Sequence, residues 1–138
     1  MQNNETNTKQ ALSDYSHFDY KKEFWENTNR YYEDQCEKAT IQRLLNIIPG
    51  KKERIVDLGC GFGRLFPIYQ NKAKKKILLD YAENLLLQAQ ENPDINGDVE
   101  YKQGNFYNLP LDSNSIDIAL TIRTLHHIQE CQSFFKEV

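Results

Sequence analysis

Residues 55–65 read Ile-Val-Asp-Leu-Gly-Cys-Gly-Phe-Gly-Arg-Leu, an apolar run that ends in Asp57 and breaks into three alternating glycines. Such a run predicts a strand, a tight loop and the start of a helix, because glycine takes positive φ freely and has no Cβ to hold a ligand away. The spacing also narrows the ligand. A dinucleotide loop is written G-x-G-x-x-G and seats a pyrophosphate at the helix N-terminus. Here the pattern is D-x-G-x-G-x-G, with Asp57 two residues before Gly59. A carboxylate that close repels a pyrophosphate and accepts hydrogen bonds from an ammonium group. The spacing therefore favours a nucleoside carrying an amino acid over one carrying phosphates.

Around this loop the chain alternates between strand and helix patterns. Cys36, Ile41, Leu44, Leu45 and Ile48 recur at three- and four-residue steps, so a helix is expected from Glu33 until Pro49-Gly50 stops it. Strands are expected over 54–57, 77–80, 99–103 and 115–121, and helices over about 64–73, 83–90 and 127–138. The basic run Lys72, Lys74, Lys75 and Lys76 reads as a solvated linker. This alternation gives an α/β fold, a Rossmann-like parallel sheet with helices on both faces. Three regions are expected: a tail over 1–14, a helical lid or cap over 15–50, and the ligand-binding domain from 51 to 138. The aromatic-rich part of the cap includes His17, Phe18, Tyr20, Phe24 and Trp25, and for Trp25, Tyr31 and Tyr32 core or lid packing is expected.

Ligands of open α/β sheets bind outside the carboxyl ends of the strands, and the small and polar residues gather there. Asp80 follows the second strand, 21 residues after Gly59. It suits the two hydroxyls of a ribose, or the cap of the next helix, and the two roles are compatible. Its neighbour Tyr81 either lines the ribose or covers the sheet edge. After the third strand, Asn105 offers a donor and an acceptor to a base edge and Phe106 an apolar surface for its ring; the plainer reading is a polar loop with one buried aromatic. After the fourth, His126 or His127 can take a proton near neutral pH or simply wall the pocket. Arg123 either reads an acidic substrate or points to solvent.

Val-Asp-Leu-Gly-Cys-Gly-Phe-Gly-Arg, the strand-end Asp80, Gly-Asn-Phe at 104–106 and the run from Asn108 to Leu120 together resemble the class I S-adenosylmethionine-dependent methyltransferases, in particular the bacterial group acting on small molecules. The resemblance covers about residues 20–138. It implies a sheet order of 3-2-1-4 and S-adenosylmethionine as cofactor. Asp57, Gly59, Gly61 and Gly63 would then hold the methionine part, Asp80 the ribose, and Asn105 with Phe106 the adenine; Cys60 within the loop and Tyr81 beside Asp80 are cofactor-binding candidates by position. Many relatives carry Asp where this chain has Asn105, and an amide still donates and accepts. The implied reaction is in-line displacement of the sulfonium methyl by a small-molecule acceptor. It needs orientation and exclusion of water rather than a protein nucleophile, so no catalytic residue is assigned.

Composition removes other classes. A net charge of −3 gives no electrostatic footprint for nucleic acid, and no apolar run approaches the ~20 residues of a membrane span. Cys36, Cys60 and Cys131 have neither disulfide-framework nor zinc-site spacing, which suits a reducing cytoplasm and no bound metal. The sequence stops inside a helix pattern, so a fragment is expected, with the fourth strand an open edge for strand pairing or a dimer. Two other readings remain: a noncatalytic cofactor-binding module completed by another chain, and a nucleotide-dependent oxidoreductase.

Overall fold

The computed structural model describes Tyr15, His17, residues 19–26 and residues 28–138. The expected tail over 1–14, and Phe18 of the aromatic segment, lie outside the described residues. A π-helical turn spans Lys21–Glu26. It is followed by α1 (Tyr31–Ile47), β1 (Lys52–Leu58), α2 (Phe66–Tyr69), β2 (Ala73–Asp80), α3 (Glu83–Gln90), β3 (Val99–Gln103), β4 (Ile118–Leu120), a 3-10 turn (Leu125–His127) and α4 (Cys131–Glu137). The four strands form one parallel sheet in the order β3-β2-β1-β4, the order the family resemblance implies.

Side chains alternate between the two faces of each strand. Ile55 and Leu78 point to a core built with Ile41 and Leu45 of α1, Phe66 and Tyr69 of α2, and Leu86 and Ala89 of α3. Val56, Leu58, Ile77 and Leu79 point to the other face, where Phe134 of α4 and the loop residues Phe106, Leu109 and Leu111 cover them. Asp117 fastens the start of β4 to β1 by accepting the Glu53 and Arg54 amides at 3.0 and 2.9 Å.

Local expectations fail in three places. The basic run is no linker, because Lys74, Lys75 and Lys76 lie in β2, which begins at Ala73, four residues ahead of the expected start at Ile77. Their charges are accommodated by partners: Lys74 meets Glu53 at 2.6 Å, Lys75 meets Glu100 at 2.7 Å, and Lys76 buries its stem while its Nζ donates to the Lys74 carbonyl at 3.0 Å. The helix expected over 64–73 shrinks to four residues. Pro67 confines its start to the first turn, and β2 begins at Ala73. In the last helix only Phe134 is buried, with Phe135 and Val138 exposed. The pattern there overstated the apolar face.

Candidate functional site

The carboxyl ends of β1, β2 and β4 open onto one crevice, and the glycine loop forms its floor. Gly59, Gly61 and Gly63 all have positive φ, at 81°, 55° and 79°, yet they serve different ends. A Cβ on Gly59 would lie 2.5 Å from Thr124 Oγ1, and one on Gly63 would lie 2.3 Å from Ile95 Cδ1. Those two glycines exist for close packing within the protein. A Cβ on Gly61 would meet nothing within 4 Å, and Gly61 borders the crevice. It is the position where a ligand can approach bare backbone.

Asp80 holds this loop in place. Its Oδ2 accepts the Gly61 amide at 2.8 Å and its Oδ1 the Ala82 amide at 2.9 Å. The side chain is buried. Burial pushes its pKa up, and the amides donating to it pull the other way. The Ala82 bond is an Asx-type turn that leads the chain into α3; it is no helix cap, because Ala82 is itself the N-cap residue and α3 has no side-chain cap bond. Asp57 sits beneath the loop, fully buried, with Tyr69 donating to its Oδ2 at 2.9 Å. Burial and the nearby Asp80 raise Asp57 to about 7, against the opposing pull of Tyr69 and Arg64. The Cys60 thiol is pushed well up by burial and by both carboxylates, so it stays protonated and is no nucleophile.

The cleft at these strand ends has Gly59, Gly61, Asp80, Tyr81, Phe106 and Thr124 on its walls. A smaller recess shares Gly59 and Gly61 and reaches Asp57 and Cys60. The structure thus gathers seven of the nine residues singled out in the sequence: Asp57, Gly59, Cys60, Gly61, Asp80, Tyr81 and Phe106. Gly63 lines neither space, and neither does Asn105. The Asn105 Oδ1 accepts the Tyr107 amide at 2.9 Å and closes a local turn. Thr124, within the 123–126 stretch after the fourth strand that is expected to reach the crevice, is a wall residue. Its hydroxyl reaches the Ile122 carbonyl at 3.1 Å, and it signalled itself only by lying in the loop after β4.

The N-terminal segment closes the top. Tyr15 and Tyr20 line the cleft and pack together at 5.0 Å, and Tyr20 stacks on Phe24 at 5.0 Å. Tyr31 and Tyr32, expected to pack, are exposed. Trp25 packs against two guanidinium groups, Arg64 at 3.9 Å and Arg123 at 5.2 Å from its ring. Arg123 borders both the cleft and the recess, and its guanidinium is already held by acidic partners. It pairs with Glu37 at 2.8 Å and with Glu33, while Arg64 pairs with Asp34 and Glu37. These pairs tie α1 to the glycine loop and to the loop after β4. Glu37→Gln is expected to loosen that tie by about 1 kcal/mol, the scale of part-exposed ion pairs, and the effect should shrink at high salt. Trp25 is the chain's one tryptophan, so a red shift of its fluorescence reads the loosening.

His127 faces the cleft, with its Nε2 3.2 Å from the Tyr15 hydroxyl. Burial and the adjacent His126 lower its pKa, so it is neutral near pH 7. His126 is exposed and lies outside the cleft.

Comparison with known proteins agrees with this architecture. A family model described as a methyltransferase domain matches residues 56–138. The ubiquinone/menaquinone biosynthesis C-methyltransferase UbiE of Campylobacter jejuni is 31% identical over 108 residues, which are 72% of this chain and 44% of that protein. Phosphoethanolamine N-methyltransferase 1 of Caenorhabditis elegans is 26% identical over 88 residues, 64% of this chain and 18% of that protein. The crystal structure of an S-adenosylmethionine dependent methyltransferase from Mesorhizobium loti superposes with a TM-score of 0.58 at 29% identity, covering 71% of this chain and 45% of that one. The chain spans less than half the length of both curated relatives.

Proposed function

Because the chain belongs to the class I S-adenosylmethionine-dependent methyltransferases, we propose that it holds S-adenosylmethionine in the crevice between the glycine loop and Asp80 and serves methyl transfer to a small-molecule acceptor. The observation that carries this reading is the bare face of Gly61 on the same cleft wall as the Asp80 carboxylate. The donor set suits the cofactor. An ionised carboxylate has about four lone-pair sites, and Asp80 uses two on Gly61 and Ala82, which leaves capacity for ribose hydroxyls. Tyr81 and Phe106 give apolar surface for a base, and Asp57 a carboxylate for an ammonium group.

When bound, S-adenosylmethionine supplies a methyl group on an electrophilic sulfonium. This chain's own part is to orient and to exclude water. Tyr15 and Tyr20 cover the cleft. For an acceptor that must lose a proton, His127 is the neutral imidazole at the cleft wall. The two named relatives are a C- and an N-methyltransferase, which supports a small molecule as acceptor class. No helix among the described residues is long and apolar enough to cross a membrane. The net charge of −3 supports an acceptor other than nucleic acid, and the free thiols Cys36, Cys60 and Cys131 support the cytoplasm as compartment. The outer edge of β4 offers a strand-pairing surface for a second copy. Equilibrium dialysis tests the cofactor choice. S-adenosylhomocysteine is expected to bind and NAD is not, and the opposite pair of results contradicts the proposal.

A further inference from the structure

Tyr69 is fully buried in α2, and its ring packs edge-on to Phe66 at 5.5 Å between centroids. Phenylalanine would supply the same ring and would spare the cost of desolvating a hydroxyl. The partner here is Asp57, the carboxylate at the recess under the glycine loop. We propose that Tyr69 is a positioning residue for the ligand: by bonding one oxygen of Asp57 it fixes that carboxylate and leaves the other oxygen for the ammonium group of an amino-acid-bearing nucleoside. This rests on the crevice being the S-adenosylmethionine site.

The surroundings of Asp57 make the contact consequential. Asp80 faces it from the end of β2, Cys60 and Arg64 from the loop, and Tyr69 from α2. Of these, Tyr69 and Arg64 favour the charged carboxylate. The Tyr69 hydroxyl itself is pushed well up by burial and by Asp57, so it remains a donor at neutral pH. Asp57 stands at about 7, above the ordinary carboxylate value of 3.8. An ammonium ligand needs the ionised form. Affinity should therefore climb as pH rises through about 7 and fall again only at alkaline pH, where the ligand's α-amino group loses its proton. Without the Tyr69 hydroxyl the carboxylate ionises later, so the climb moves to higher pH.

The test measures binding of S-adenosylhomocysteine from pH 5.5 to 8 for wild type, Tyr69→Phe and Asp57→Asn. Binding of 5′-methylthioadenosine, which lacks the amino-acid part, is followed in parallel. Tyr69→Phe keeps the ring and its packing. It is expected to weaken S-adenosylhomocysteine about 3- to 10-fold at pH 6.5, the scale of up to one pKa unit. The climb should shift upward in pH, with 5′-methylthioadenosine unchanged. A Tyr69→Phe profile that superimposes on wild type, while Asp57→Asn weakens binding, overturns the role of Tyr69 alone. Parallel losses for both ligands also overturn it, since they mark a general structural effect. If Asp57→Asn binds S-adenosylhomocysteine as wild type does, the placement of the ligand fails and this inference fails with it.

Discussion

Gly59→Ala is expected to cost about 2–5 kcal/mol of folding stability, whereas Gly61→Ala should cost only about 1–2 kcal/mol. The two glycines share a motif and a positive φ but not an environment. At Gly59, φ is +81° and the new Cβ would fall 2.5 Å from Thr124 Oγ1 and 3.1 Å from its Cγ2. Left-handed backbone costs a residue with a Cβ roughly 1–2 kcal/mol, and overpacking adds about 1–3 kcal/mol. Thr124 is buried and bonded to the Ile122 carbonyl, so it has little room to yield. At Gly61 the backbone term stands nearly alone, because nothing lies within 4 Å. Its methyl would instead project into the crevice and obstruct the ligand. Chemical denaturation should separate the pair by stability, and ligand titration should rank Gly61→Ala as the stable variant that binds poorly. Equal losses of stability would contradict this division of roles.

The second large effect belongs to Asp80. Asp80→Ala removes the acceptor for Gly61 and Ala82 and the carboxylate offered to a ribose. A hydrogen bond to a charged group contributes roughly 1.5–3 kcal/mol, so losing two from the ligand weakens binding by at least about 100-fold. Asp80→Asn keeps one oxygen acceptor and should fall between wild type and Asp80→Ala.

Much of this was legible in the sequence, and the reasons are physical. The strand-glycine pattern at 55–63 and the strand-end Asp80 are short-range signals, because the turn and the buried carboxylate each impose residue types locally. The sheet order followed from the alternation of elements together with the family resemblance. Two of the charged contacts stayed hidden because their partners lie far along the chain. Lys74–Lys76 looked solvated because Glu53 and Glu100, which absorb two of their charges, lie 21 and 25 residues from them. Arg123 looked free because Glu33 and Glu37 precede it by 90 and 86 residues. Asn105 carried the right groups for a base, but its neighbour Tyr107 takes its carbonyl. The bond from Tyr69 to Asp57 had no sequence signature at all, since a tyrosine in an apolar run reads as core.

Calorimetric titration of S-adenosylhomocysteine into wild type and Asp80→Ala tests the central claim most directly, with circular dichroism confirming that both are folded. The account predicts one site per chain on wild type and at least a 100-fold weaker isotherm on Asp80→Ala. Equal binding to the two folded proteins would contradict it, because the ligand would then lie outside the crevice that Asp80 and the glycine loop define.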